Sequence, residues 1–416
     1  MAKEMKDSGI SYFGDIPKHW EMKKNGYLFT CSKQIVMPGI EYQLLSLTTN
    51  GVKEKDINSI GGKVPENYNG YQIVKPDDMV MCLFDIDCSA VFSGLSHFHG
   101  MISPAYKILR CSSNILPNYA EYIFRYIGGQ RLYKQYSKNL RYTLNIDDFM
   151  ALKLPLPPIS EQKAIADFLD TKCGEIDGLL ADLDAEVKTL AEYKKSLIAE
   201  TVTRGLNPNA PMKQSGIPWA DTIPSHWKIQ KGKYTFTLLQ RPVKEDDGVI
   251  TCFRDGEVTL RSNRREDGFT MSEKEYGYQG IEPGDLVVHG MDGFAGSIGI
   301  SDSRGKGTPV LNVLDSDQNK RYLMYYLRNM AYGNVFLAMS TGIRVRSCDL
   351  SWKKLGDIRI VLPPIEEQEA ITAFLDQKLE AIQEAITTKQ YQIEKLKAYK
   401  ASLIYEYVTG KKQVAL

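Results

Sequence analysis

Pro157-Pro158-Ile159-Ser160-Glu161-Gln162 closes one kind of segment and opens another, and the event recurs 206 residues later as Pro363-Pro364-Ile365-Glu366-Glu367-Gln368. Pro155, Pro157 and Pro158 stop the preceding segment, because proline has no N–H and biases the residue before it away from helix. Ser160 followed by Glu161 and Gln162 is a helix start. Beyond it, apolar residues recur at spacings of three and four: Ile176, Leu180, Leu183, Val187, Leu190 and Leu197, with Lys194 in phase. The second copy keeps the pattern at Ile382, Ile386, Ile393, Leu396 and Leu403, interrupted by Lys389 and Lys400. Two helices of ~40 residues, each on the order of 60 Å long, therefore carry one apolar stripe apiece. Neither can bury its stripe alone. The simplest solution pairs them with each other as an antiparallel coiled coil across a pseudo-two-fold axis. The competing arrangement packs each helix on its own globular half.

Outward from these junctions the repeat continues. Met5-Lys6-Asp7-Ser8-Gly9-Ile10 returns as Met212-Lys213-Gln214-Ser215-Gly216-Ile217, and Ile16-Pro17-Lys18-His19-Trp20 as Ile223-Pro224-Ser225-His226-Trp227, both offset by 207. Phe168-Leu169-Asp170 matches Phe374-Leu375-Asp376, and Tyr193-Lys194-Lys195-Ser196-Leu197-Ile198 matches Tyr399-Lys400-Ala401-Ser402-Leu403-Ile404. The chain is one unit written twice. Its flanks agree closely, whereas 31–140 and 238–343 agree only in places such as Lys75-Pro76-Asp77-Asp78-Met79-Val80 against Glu282-Pro283-Gly284-Asp285-Leu286-Val287. A shared frame with divergent middles suits two modules with one job and different targets. The expected division is a globular module at 1–155, a helix at 156–205, a second module at 206–360 entered through a linker at 206–211, and a second helix at 361–416.

The divergent middles read as α+β. Residues 42–47 and 285–288 have strand character, and 119–127 and 321–327 look like short aromatic-rich helices. Gly293-Phe294-Ala295-Gly296-Ser297-Ile298-Gly299 marks a tight turn near strand edges.

A chain of 416 residues suits two or three domains. It has no run of ~18 apolar residues, so no transmembrane helix is expected. The N-terminus lacks the apolar core of a signal peptide, which makes the cytoplasm the expected location. Seven cysteines without a CxxC motif read as free thiols. Net charge is +1, which argues against a non-specific polyanion binder. Split at the boundaries above, the modules carry +3 each and the helices −4 and −1, a weak bias toward phosphate contacts on the modules.

Catalytic signatures are absent. Gly305-Lys306-Gly307-Thr308 lacks the glycine spacing of a phosphate-binding loop, and Gly293, Gly296 and Gly299 do not make a dinucleotide fingerprint. His97 and His99 have no partners at metal-ligand spacing, so no metal site is expected. His19 and His226, beside Trp20 and Trp227, read as packing residues. No triad or carboxylate pair stands out. The chain reads as a binder, not a catalyst, and one reading of its divergent modules is a structural adaptor that binds proteins.

The repeated SGI…IPxHW opening, the LPLPPISEQ and VLPPIEEQ closings, and the helices with FLD near the start and YKKSLI or YKASLI near the end resemble the specificity subunits of type I restriction–modification enzymes. The resemblance covers essentially the whole chain. It implies two target-recognition domains, each reading one half of a split double-stranded DNA sequence, with the helix pair setting the gap. It also implies two adenine-N6 methyltransferase subunits binding S-adenosylmethionine, and a restriction and translocase subunit driven by ATP with Mg. This chain itself would bind no cofactor and be non-catalytic.

Base edges are read best by Arg, Lys, Asn and Gln, while phosphate contacts fix register. In the first module the candidates are Thr48, Thr49, Asn50, Lys53, Lys138, Asn139, Arg141 and Tyr142. In the second they are Arg254, Arg261, Asn263, Arg264, Arg265, Arg344 and Arg346. The run Arg261–Arg265 reads as a loop, and a solvated charged turn is its competing reading. Taking Trp352 as the counterpart of Phe149 sets Arg344 against Arg141 and leaves the second copy three residues longer at its junction.

Overall fold

A computed structural model describes residues 4–37, 41–56, 67–137, 141–264, 275–339 and 350–414. The fold is α+β. The chain divides into two compact units, Met1–Asp184 with Tyr391–Leu416, and Ala185–Gln390. Each holds one β-rich module and a stretch of both long helices.

In the first unit an antiparallel sheet orders its strands Phe29–Ser32, Lys107–Cys111, Met79–Met81 and Ser93–Leu95. Alternation sends Met79, Met81 and Leu109 to one face and Val80 and Ile108 to the other, and each face enters a separate apolar core. With both faces covered the strand reads as a continuous apolar run rather than alternating with polar residues. One face carries the helix Pro117–Gly129, which buries Tyr119, Ile123, Phe124 and Ile127. The other carries the hairpin Leu45–Thr48 with Gly51–Glu54, which begins three residues later than its sequence suggests.

The second unit repeats the plan with strands Thr237–Leu238, Leu311–Asp315, Leu286–His289 and Ile298–Ile300. Its helix is Lys320–Tyr332, started by Asn319, whose side chain accepts the N–H groups of Arg321 and Tyr322. Its hairpin is Ile250–Cys252 with Val258–Leu260. The glycine-rich segment after His289 is a 3-10 turn at Gly293–Ala295, closed by Gly296 at φ 101°.

The long helices run Ile159–Arg204 and Ile365–Val408. Within the first unit, Lys400 reaches Asp177 at 2.6 Å and the Phe168 and Tyr407 rings lie 4.5 Å apart. Within the second, Lys389 pairs with Glu186, and Lys194 donates to Gln383 at 3.2 Å. Positions rise along one helix as they fall along the other, so the pairing is antiparallel in each unit. The lysines that interrupt the apolar stripes are the cross-helix polar partners.

Both expected arrangements coexist. Ile165, Leu169 and Ile176 with Leu403, Ile404 and Val408 join the first module's core, and Ile198 and Val202 with Ile371 and Leu375 join the second's. Each helix ends on a left-handed glycine pressed against a tryptophan. A Cβ on Gly205 (φ 76°) would sit 3.0 Å from the Trp227 ring, and one on Gly410 (φ 70°) 3.1 Å from that of Trp20.

The junction register differs from the sequence expectation. Leu144 N–H donates to Leu83 O and Leu350 N–H to Gly290 O, both at 2.8 Å, on equivalent strand ends. The short helices that follow, Ile146–Ala151 and Trp352–Asp357, bury Phe149 and Leu355 completely. Leu355, not Trp352, is the counterpart of Phe149, and the three extra residues vanish. Arg344, set against Arg141 in the sequence register, lies outside the described residues.

Candidate nucleic-acid interface

The two repeated motifs at opposite ends of each module meet. Glu161 accepts from Trp20 Nε1 at 2.9 Å and lies 2.6 Å from His19 Nε2, and Glu367 stands in the same relation to Trp227 and His226 at 2.9 and 2.6 Å. The adjacent Gln162 accepts from Leu116 N–H (2.8 Å) and donates to the carbonyls of Asn114 and Pro157. Gln368 likewise accepts from Asn319 N–H (3.0 Å) and donates to Pro363 O. The histidines therefore do more than pack: together with the tryptophans they fasten the module's opening to the start of a long helix.

On the second module, the hairpin turn after Cys252 and the turn after His289 enclose a cavity of about 610 Å³. Arg254, Arg261 and Arg264 all line it. Arg254 Nη2 bonds Asp292 at 2.9 Å. Arg264 lies 4.1 Å over the Phe253 ring and pairs with Asp255 (2.8 Å) and Glu257 (3.1 Å). Arg261 Nε contacts Thr251 Oγ1 at 3.4 Å. Residues 261–263 form a 3-10 turn, and Asn263 is drawn to Thr259 (2.8 Å) and does not line the cavity. Arg265, Arg344 and Arg346 lie outside the described residues, as do Lys138 and Asn139 of the first module.

His289 also lines this cavity. Its Nδ1 accepts the N–H groups of Met291 (3.2 Å) and Asp292 (3.0 Å), which places the proton of the neutral ring on Nε2. Burial, named first among the causes, holds its pKa below the ordinary histidine value and favours that neutral form. Ser297, 1% exposed, lines the same cavity, and its hydroxyl has no protein partner.

The first module's candidates fall into two groups. Thr48 donates to Gly51 O (2.8 Å) and accepts Asn50 N–H (3.2 Å), closing a two-residue turn that leaves Thr49 and Asn50 exposed. Lys53 is exposed on the same hairpin, opposite Ser46. This hairpin is equivalent to the one carrying Arg254: the residues just before each first strand, Leu44 and Val249, make parallel bridges to Met101 and Lys306 on matching strands. Candidates chosen from unrelated residue types thus share one structural position. Arg141 and Tyr142 stand elsewhere, with their carbonyls accepting from Asp85 and Ile86 N–H. Arg141 Nε is 4.0 Å from Asp85, and the Tyr142 ring lies beneath Lys134 Nζ at 4.3 Å. Arg141 borders a cavity of about 960 Å³ with Asp85, Lys107 and Asn145.

Asp85, Asp292, His289 and Ser297 were missed by the sequence reading. The two aspartates had a signal: each stands seven residues after an already matched aspartate, Asp78 or Asp285. Among the described residues, no group of three or more metal-ligating side chains gathers, six cysteines are free, and no helix is long and apolar enough to cross a membrane.

No protein-family model matches the chain. A protein described as the MjaX specificity subunit of a type I restriction enzyme, from Methanocaldococcus jannaschii, is 24% identical over 433 residues, covering 96% of this chain and 95% of that one. The StySPI type I specificity subunit of Salmonella potsdam is 22% identical, covering 76% and 70%. Among solved structures, a chain from work on complex assembly and conformational transition in a type I R-M system matches with a TM-score of 0.69 at 15% identity, covering 95% of this chain and 99% of that one. The HsdS subunit from Thermoanaerobacter tengcongensis matches at 0.50 and 15%, covering 95% and 98%. With the duplicated modules and paired helices in place, these likenesses point one way: the chain is similar in sequence to specificity subunits of type I restriction enzymes and shares the fold of an HsdS subunit over nearly its whole length.

Proposed function

We propose that residues 1–155 and 206–360 are target-recognition domains, each reading one half of a bipartite double-stranded DNA site. The long helices at 156–205 and 361–416 set the unread gap and dock two adenine methyltransferase subunits. S-adenosylmethionine, and ATP with Mg, are then the business of methyltransferase and restriction/translocase partners. The observation that carries this reading is the pair of equivalent hairpins, one bearing Thr48, Thr49, Asn50 and Lys53, the other leading through Arg254 to Arg261 and Arg264 at a cavity. Guanidinium, amide and hydroxyl groups on an exposed turn suit base edges and phosphates, and the +3 charge of each module suits a polyanion. Docking has its own support in the exposed Leu179, Tyr193, Tyr391 and Tyr399 on the long helices.

The test is a gel shift of the complex assembled with its methyltransferase partner across a salt series. Counterion release predicts that affinity falls steeply and linearly in log–log form as salt rises. A complex that assembles but binds DNA no better than the methyltransferase alone would favour the adaptor reading.

A further inference from the structure

In both modules a carboxylate occupies the same point of the turn that follows the central strand. Asp85 O accepts the N–H of Cys88 (3.1 Å) and Asp292 O that of Ala295 (2.9 Å). Three residues before each aspartate, Cys82 and His289 donate their N–H groups to Phe92 O (2.7 Å) and Ser297 O (3.0 Å), where the chain enters the next strand. The turns are therefore equivalent, although they differ in length and in most side chains. Each aspartate faces an arginine, and that arginine comes from a different element in each module. Arg254 sits on the hairpin turn, whereas Arg141 sits on the segment leading into the helix Ile146–Ala151. Each pair borders a cavity, of about 960 Å³ in the first module and about 610 Å³ in the second.

A structural role explains this poorly. The side chains are 85% and 37% exposed for Arg141 and Asp85, and 61% and 34% for Arg254 and Asp292. Ion pairs this open to solvent add little to stability. Asp292, bonded to one edge of the Arg254 guanidinium at 2.9 Å, restricts its plane, whereas Asp85, 4.0 Å from Arg141 Nε and beyond hydrogen-bond distance, biases its guanidinium by charge attraction. A restricted fork is what two-point hydrogen bonding to guanine O6 and N7 requires.

We infer that Asp85 and Asp292 are positioning residues, which aim Arg141 and Arg254 at a guanine in their respective half-sites. One carboxylate at a fixed point, paired with an arginine delivered from alternative elements, lets a common frame address a guanine from two different directions. This rests on the reading that each module contacts one half-site.

The experiment maps N6-methyladenine in a methylation-free host expressing the chain with its adenine methyltransferase partner, for the native chain and for Asp292→Asn, Asp292→Glu, Arg254→Lys and Asp85→Asn. Each native half-site should contain a G·C pair. Asp292→Asn and Arg254→Lys should relax the same single position in one half, with discrimination there falling roughly 10- to 100-fold. Asp292→Glu, which keeps the carboxylate, should relax it less. Asp85→Asn should relax one position in the other half, and the gap should stay fixed throughout. A half-site without G·C, unchanged specificity in the variants, or Asp292→Asn and Arg254→Lys relaxing different positions would each overturn the inference. So would an assembled Asp292→Asn complex that methylates nothing while Arg254→Lys keeps full discrimination. If the native chain yields no split motif, the half-site reading itself fails, which is a different result from a native split motif that the variants leave intact.

Discussion

Glu161 and Glu367 each receive the indole N–H of a buried tryptophan and stand beside a histidine. Glu161→Ala leaves Trp20 Nε1, on a ring only 2% exposed, without its acceptor. The expected cost is about 1–3 kcal/mol, seen as a lowered melting temperature in a thermal unfolding scan. His19 is 37% exposed at its side chain, so His19→Ala should cost no more than about 1 kcal/mol in the same scan. A histidine variant as damaging as the glutamate variant would contradict this ordering. Both motifs were legible as repeats, but their meeting was not: 142 residues separate His19 from Glu161, and nothing local in either motif names the other. The recognition candidates were legible only as residue types, because nothing in the sequence around Arg264 shows that it stands beside Asp255 and Glu257.

The long helices were the most legible elements, since a 3.6-residue period sustained over many turns has few other readings. Their partners within each unit were half legible, with the lysines in the stripe marking where polar groups cross between helices. These lysines are not equal. Lys400 faces the carboxylate of Asp177, whereas Lys194 faces the neutral amide of Gln383. Burial, with Arg328 adding to it, pushes the Lys194 ammonium below its ordinary pKa. A lysine whose folded pKa lies below its unfolded value disfavours folding while it is charged in both states, and the penalty fades as pH rises through the lowered value toward about 10.4. Lys194→Met should therefore raise stability at neutral pH, by up to about 1 kcal/mol, with the gain shrinking in alkaline solution. Lys400→Met should instead lower it, by up to about 1 kcal/mol. Chemical denaturation at two pH values separates the two. Many of the strands were not legible because they are only three or four residues long and pair across distant sequence, as Gln72–Val74 does with Gly100–Ile102. Such segments are too short to show a period of two.

At the scale of the whole molecule, duplication was plain from the flanks, and the structure extends it into the middles: sheet, hairpin and helix recur where the sequences no longer agree. That persistence follows from what the middles must keep, which is alternation of apolar residues such as Met79, Val80 and Met81 against Leu286, Val287 and Val288, not particular side chains on exposed turns. If the helices set the gap between half-sites, inserting four residues into the first long helix adds about 6 Å, or roughly two base pairs. The gap in the target should then lengthen while both half-site sequences stay the same. New half-site letters with an unchanged gap would contradict that division of roles. The most direct measurement is a map of N6-methyladenine in a methylation-free host that expresses this chain together with the methyltransferase subunit proposed to dock on it. The predicted result is one split motif, methylated on both strands and lost when this chain is omitted. Assembly of the complex without any such motif would contradict the claim that these two modules specify a bipartite DNA target.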